Sequence, residues 1–372
     1  MTTKKIIPYG KQDINQDDID AVIDVLKSDF VTQGPKVPEF EQSLCKHTGA
    51  KHAVAVNSGT SALHIACMAL GVTKGDIVWT SPITFVASAN CALYCGAQVD
   101  FVDIDETSYN MSAQKLSRQL IEAKSIGRLP KVVIPVHLCG QSCDMAAIAE
   151  LGEKYDFKII EDASHAIGGQ YKNAPIGNCK YSDITVFSFH PVKIITTAEG
   201  GACMTNDDAL ATKMNLARSH GVTRDEDLMK GEPDGPWYYE QVDLGYNYRM
   251  TAIQAALGTS QMKRIDEFVK VRNELSARYD QELLSLPLIT PRQHDDCYSA
   301  RHLYVIKLQE PDNHRAVFEK LRELGIGVNL HYIPVHTQPY FEKQGFKQGD
   351  FPNAEKYYQA AISIPLYSKL TH

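Results

Sequence analysis

The sequence predicts an α/β protein, with a large domain on a mostly parallel sheet followed by a small α+β domain. Three observations carry this prediction. Between about residues 50 and 220, short apolar runs alternate with amphipathic stretches, the pattern of strand–helix units that build a sheet covered on both faces. Near residue 251 this gives way to a long run of helical spacing, and beyond it come a strand, an amphipathic helix and a second strand. A chain of 372 residues is long enough for one large core and a smaller second one.

Taken in order, the apolar runs predict strands at 53–56, 77–80, 98–102, 131–136, 157–161, 185–189 and 201–205. Helical patterns fall between them at 61–70, 85–94, 112–122, 146–155 and 208–219. From 251 to about 284, Ala252, Ala255, Ala256, Met262, Ile265, Phe268 and Val269 recur near helical spacing, which predicts one long helix linking two domains. A strand at 302–308 follows, then a helix at 314–324 with Val317, Phe318, Leu321 and Leu324 on one side, a stop at Gly325, and a strand at 326–330. The division expected is 1–250 for the large domain and 251–372 for the linker helix and small domain.

Composition narrows the function. Apolar residues make up 44% and charged residues 22%, as in a folded enzyme and unlike a disordered chain. The net charge is −7 and the longest basic run is Lys4-Lys5, so no basic face for nucleic acid is expected. No apolar stretch nears the ~20 residues that span a membrane, and the first residues lack the apolar centre of a secretory signal. Cys91/Cys95 and Cys139/Cys143 share a C-x-x-x-C spacing, but no further ligand follows at zinc spacing. The nine cysteines therefore read as buried small hydrophobes in a reducing cytoplasm, with no metal.

Sheets of this kind take ligands beyond the carboxyl ends of their strands, so the chemistry is sought there. Asp162 follows the strand at 157–161; it can hold a proton on a heteroaromatic nitrogen or cap the next helix. Lys193 sits between a strand end and Gly200-Gly201 within an apolar stretch, where burial would lower its pKa toward that of a nucleophilic amine. A lone lysine would more ordinarily keep its charge in water, but here Ser188 can bind phosphate and the glycines permit close backbone approach. Asn57-Ser58-Gly59-Thr60-Ser61 opens a helix directly after a strand, which suits a phosphate cradle or a plain N-cap. It lacks the Walker A ending, and no G-x-G-x-x-G fingerprint is present. Phe85, after the strand at 77–80, can stack on a flat ring or belong to the core.

These segments, in this order, resemble the DegT/DnrJ/EryC1/StrS sugar aminotransferases. The likeness extends to Leu244-Gly245-Tyr246-Asn247-Tyr248-Arg249-Met250 and to Phe30-Val31-Thr32-Gln33-Gly34-Pro35, and spans roughly residues 8–366. Within the family, Ser-Phe-His-Pro-Val-Lys followed by Ile-Ile-Thr-Thr-Ala-Glu-Gly-Gly is similar to the pseudaminic-acid branch. The resemblance implies the pyridoxal 5′-phosphate (PLP)-dependent fold type I, aspartate aminotransferase-like, and a homodimer with shared active sites. It makes Lys193 the Schiff-base lysine, Asp162 the partner of the pyridinium nitrogen, and Phe85 the stacking residue. Gly59, Thr60 and Ser188 become phosphate contacts, Asn247 a phosphate contact from the partner subunit, and His165 a polar neighbour of the ring. Tyr9, the loop of Asp29, Phe30, Val31 and Thr32, and the segment His331, Tyr332, Ile333 and Pro334 would line the substrate site. Arg249 is either an anion contact or part of an ion pair.

The reaction implied moves an amino group from glutamate to C4 of a UDP-linked 4-keto-6-deoxy-N-acetylhexosamine. The alternatives are an aminotransferase for another nucleotide-linked keto sugar, a PLP-dependent sugar dehydratase, and a PLP-binding regulator. Dehydratases of the family carry histidine in place of the lysine, and regulators an added DNA-binding module. Two departures from the family pattern stand out: a turn-rich insertion at 231–237, without an assigned role, and an end at Thr371-His372 where relatives usually run on through a further helix.

Overall fold

The computed structural model describes residues 6–371; the Lys4-Lys5 pair and His372 lie outside the described residues. Seven strands form the central sheet: β1 (His52–Val56), β2 (Ile77–Thr80), β3 (Gln98–Phe101), β4 (Val132–Ile134), β5 (Lys158–Asp162), β6 (Ile184–Ser188) and β7 (Gly201–Thr205). Their order is β1-β7-β6-β5-β4-β2-β3. β2, β3, β4, β5 and β6 pair in parallel, while β7 runs antiparallel to both β1 and β6. Only β7 is therefore reversed among the seven, which keeps the ends of β1, β5 and β6 on one edge and brings the start of β7 to that same edge.

The strands read as continuous apolar runs because both faces are covered. Successive side chains still alternate: Ala55 and Phe187 join a core with Phe40, Phe189, Phe268 and Val269, whereas Val54, Val56, Ile184 and Val186 join one with Leu63, Ile65 and Met214 on the other face. The first face is covered by α2 (Lys36–Thr48) and by α8 (Ala252–Met262), the second by α3 (Gly59–Ala69), α4 (Ala87–Tyr94) and α7 (Asp208–Arg218). α1 (Gln16–Leu26), α5 (Ala113–Ser125) and α6 (Met145–Tyr155) complete the large unit. α1 and α2 stand where the sequence reading placed no helix.

The long linker helix is two helices. α8 starts at a capping box, with Thr251 and Gln254 exchanging hydrogen bonds, and α9 begins only at Ile265. Between them Arg264 leaves helical geometry at φ −114° while its guanidinium pairs with Asp13 at 3.1 Å and with buried Asp18 at 2.6 Å. Burying that cation against the α1 segment explains a break that apolar spacing could not show. α9 (Ile265–Glu282) then carries Leu275, with Val271 and Tyr279, into a separate apolar cluster. There β8 (Leu288–Ile289), β9 (Tyr304–Leu308) and β10 (Ala361–Ile364) form an antiparallel sheet, packed against Val317, Phe318 and Leu321 of α10 (His314–Glu323).

Two local expectations are corrected here. Residues 326–330 are not a strand but make isolated bridges, Ile326 to Ile7 and Asn329 to Ser363. Leu324 lies just past the end of α10 and is exposed. The N-terminal segment threads onto the C-terminal part of the chain: Ile7 N–H donates to Gly325 O, and Leu366 N–H donates to Tyr9 O. That placement delivers Tyr9 to the crevice. Among the described residues no helix is long and apolar enough to cross a membrane.

Candidate active site

At the carboxyl edge of the sheet lies a cavity of about 530 Å³. Its first wall follows from strand register. Gly201 at the start of β7 pairs with Ser188 at the end of β6 and with Val56 at the end of β1, so the chain leaving β1 turns into α3 beside Ser188. Ser58 caps that helix, its Oγ accepting from Ser61 N–H at 3.1 Å. The approach is too close for side chains. A Cβ on Gly59 would stand 2.9 Å from Ser188 Cβ, and one on Gly201 would stand 2.5 Å from Ser58 O. Ser58, Gly59, Thr60 and Ser188 thus line one pocket end, where the first-turn N–H groups of an eleven-residue helix without acidic residues in that turn favour an anion.

Lys193 is presented by the loop between β6 and β7. Phe189 N–H donates to Gly200 O at 2.9 Å and Thr197 N–H to Phe189 O at 3.0 Å, closing the base of the loop, while Lys193 N–H donates to His190 O at 2.9 Å. The residue as a whole is half-buried, yet burial of its amine pushes the pKa down to about 8, with the charge of Asp162 opposing the shift.

Asp162 closes β5 and is buried. Its Oδ2 accepts from Ser88 Oγ at 2.6 Å, and its Oδ1 accepts from Ser164 Oγ at 2.6 Å and Ser164 N–H at 3.1 Å. No helix follows directly, so the carboxylate caps a turn and not a helix, and it faces the same cavity as Lys193. Phe85 stands there too with 59% of its surface exposed, a ring the core does not use.

The C-terminal part of the chain and the N-terminal segment supply the opposite wall through Tyr9, Asn329, His331 and Tyr332, with His165 and His302 at its base. The rings of His165 and His302 pack tilted with centroids 4.4 Å apart, and burial holds both far below the usual histidine range. His331, which bonds Ser363 Oγ through Nδ1 at 2.8 Å, is pushed down by burial to about 4. A cis peptide bond joins His331 to Tyr332.

Ten of the residues singled out in the sequence therefore meet in one cavity: Tyr9, Gly59, Thr60, Phe85, Asp162, His165, Ser188, Lys193, His331 and Tyr332. The single chain does not bring in the others. Asn247 is exposed and bridges to Ser219; Asp29, Phe30, Val31 and Thr32 are exposed on their loop; Ile333 and Pro334 lie outside the lining. Arg249 donates to Ser219 Oγ at 3.2 Å, away from the cavity. Sequence reasoning missed Ser88, Ser164, His302 and Asn329. Ser164 stood two residues from Asp162, in the arrangement of an Asx-turn, but Ser88 reaches the same carboxylate across 74 residues and left no local signal.

The residues present fit PLP: a dianion seat at Gly59, a desolvated amine, a carboxylate held clear of solvent, and an unused aromatic ring converge on one volume. Comparison with known proteins agrees with this geometry. The model of the DegT/DnrJ/EryC1/StrS aminotransferase family matches residues 12–372. The UDP-4-amino-4,6-dideoxy-N-acetyl-beta-L-altrosamine transaminase of Campylobacter jejuni is 40% identical over 98% of this chain and 93% of its own length. Among solved structures, Helicobacter pylori PseC, an aminotransferase of pseudaminic acid biosynthesis, superposes with a TM-score of 0.90 at 33% identity, covering 99% of this chain and 95% of that one. Streptococcus pneumoniae Spr1654 in its PLP form gives 0.89 at 29% identity, covering 98% and 95%.

Proposed function

Because the chain belongs to the DegT/DnrJ/EryC1/StrS aminotransferase family, we propose that it binds PLP and transfers an amino group from glutamate to C4 of a UDP-linked 4-keto-6-deoxy-N-acetylhexosamine. The observation that carries this reading is the Lys193 amine, lowered to about 8 in one cavity with Asp162 and the α3 N-terminus. The sugar is inferred from what the Campylobacter and Helicobacter relatives are named for. The same reading places the enzyme in the cytoplasm as a homodimer, in which the exposed Asn247 serves the partner's phosphate seat.

Bound in this cavity, PLP would supply an aldehyde that condenses with amines and a ring that takes up the electron pair of the adjacent carbon. The chain's own residues do the rest. Gly59, Thr60 and Ser188 hold the phosphate. Asp162, fixed by Ser88 and Ser164, keeps a proton on the ring nitrogen. Lys193, largely neutral above pH 8, takes a proton from the donor's Cα and returns it across the same face. Phe85 covers the ring and excludes water.

The test is incubation with glutamate and the UDP-4-keto-6-deoxy-L-arabino-hexulose HexNAc, beside its D-xylo epimer, with mass spectrometry of the product. The expected result is an amino sugar from the L-arabino compound. Equal conversion of both removes the branch assignment, and no 2-oxoglutarate from glutamate removes the reaction.

A further inference from the structure

Around Lys193 the cavity is short of charge. Of its lining residues, Lys193 bears the one lysine or arginine side chain, and Asp162 and Glu199 the two carboxylates. The wall formed by Tyr9, Asn329, His331 and Tyr332 offers phenols, an amide and an imidazole that burial keeps neutral. Neutral donors and acceptors beside aromatic surface suit a polyhydroxylated ring.

One donor on that wall is aimed. Cys139 N–H points at His165 Nδ1 at 3.3 Å, so that nitrogen must present its lone pair. The neutral ring then carries its hydrogen on Nε2, which lies 3.1 Å from Tyr332 Oη. The reverse arrangement, with Tyr332 donating to Nε2, would set an Nδ1–H against the Cys139 N–H. Tyr332 Oη is therefore the acceptor from His165, and its own hydrogen is free to turn into the cavity that the residue lines. The tilted ring of His302, its centroid 4.4 Å away, packs against the imidazole, and the Phe85 ring, 6.3 Å from Tyr332, marks the cofactor side.

Resting on the function proposed above, we infer that Tyr332 donates a hydrogen bond to an oxygen of the keto sugar, and that His165 is the positioning residue that aims it. Burial raises the phenol far above its ordinary range and holds His165 far below its own, so the orientation persists across the working pH. The contact discriminates between the two substrates of one cavity: the sugar meets the donor, and the linear amino acid does not.

Two measurements test this. In single turnovers of the holoenzyme, Tyr332→Phe should slow amino transfer to the keto sugar roughly 10- to 100-fold, a loss at least about tenfold greater than in the half-reaction with glutamate. An equal loss in both halves, or none with the sugar, overturns the inference while leaving the aminotransferase reading intact. A wild-type enzyme that takes nitrogen from glutamate but passes it to no keto sugar overturns the reading itself. Independently of turnover, 15N NMR of the histidine-labelled apoprotein should show His165 protonated at Nε2 and still neutral below pH 6.5. A hydrogen on Nδ1 would reverse the donor's direction and sink the assignment.

Discussion

Lys193 shows how one residue's surroundings decide its chemistry. An exposed lysine near 10.5 is almost wholly charged at neutral pH, whereas an amine at about 8 is neutral in about a tenth of molecules at pH 7 and in half at pH 8. Only the neutral amine attacks an aldehyde. The rate at which apoprotein captures added PLP, followed near 400 nm, should thus rise about tenfold per pH unit below 8 and level off above it. A rate still climbing past pH 10 would show an unshifted amine, and Lys193→Ala should capture none. Lys193, Asp162, Gly59 and Ser188 were legible in the sequence because each sits in a contiguous motif at a strand end. Ser88, His302 and Asn329 were not, because each enters the cavity through contacts set by the fold, although Ser88 and Asn329 lie within three residues of the singled-out Phe85 and His331.

Among the elements, the meeting of β1, β6, β7 and α3 is the tightest construction near the site. At Gly201 the crowding atoms are backbone, Ser58 O at 2.5 Å and Gly59 N at 2.7 Å, and cannot swing aside. Gly201→Ala should cost about 1–3 kcal/mol in denaturant unfolding and weaken PLP binding in the same variant, since relief requires α3 to retreat from Ser188. A variant that loses stability but keeps its PLP affinity would show that the α3 N-terminus is not the phosphate seat. Every predicted strand of the large sheet appears in the structure within a few residues, because burial on both faces prints a plain apolar run. The linker helix was overextended because its break depends on Arg264 reaching Asp13 and Asp18, some 250 residues away. Residues 326–330 have strand-like composition but find single bridge partners, not a ladder. α1 and α2 lay ahead of the first recognised strand, where no alternation framed them.

On the scale of the whole molecule, four buried histidines, His64, His165, His302 and His331, are held neutral by burial. Their folded pKa values are depressed, so below pH 6.5 the unfolded chain binds protons that the folded one refuses. Stability is then fully present above 6.5 and falls as the pH drops toward the folded values, near 4 for His331, by up to about 1.4 kcal/mol per pH unit for each group. The urea midpoint of the apoprotein should decline steeply between pH 6.5 and 4.5; a flat profile would mean these rings are charged in the fold. The same scale bears on Asn247, one of the expected site residues that do not line this chain's own cavity. Asn247 is exposed, on a segment that carries exposed Leu244, as a residue reaching into a second copy would be. Lys193→Ala and Asn247→Ala chains, each with impaired sites alone, can be denatured together and refolded as a mixture. If a site draws Lys193 from one subunit and Asn247 from the other, half the dimers are mixed and each mixed dimer holds one intact site, so about a quarter of wild-type activity should return. If both residues served the same site within one chain, every site would still carry one lesion, and mixing would restore nothing.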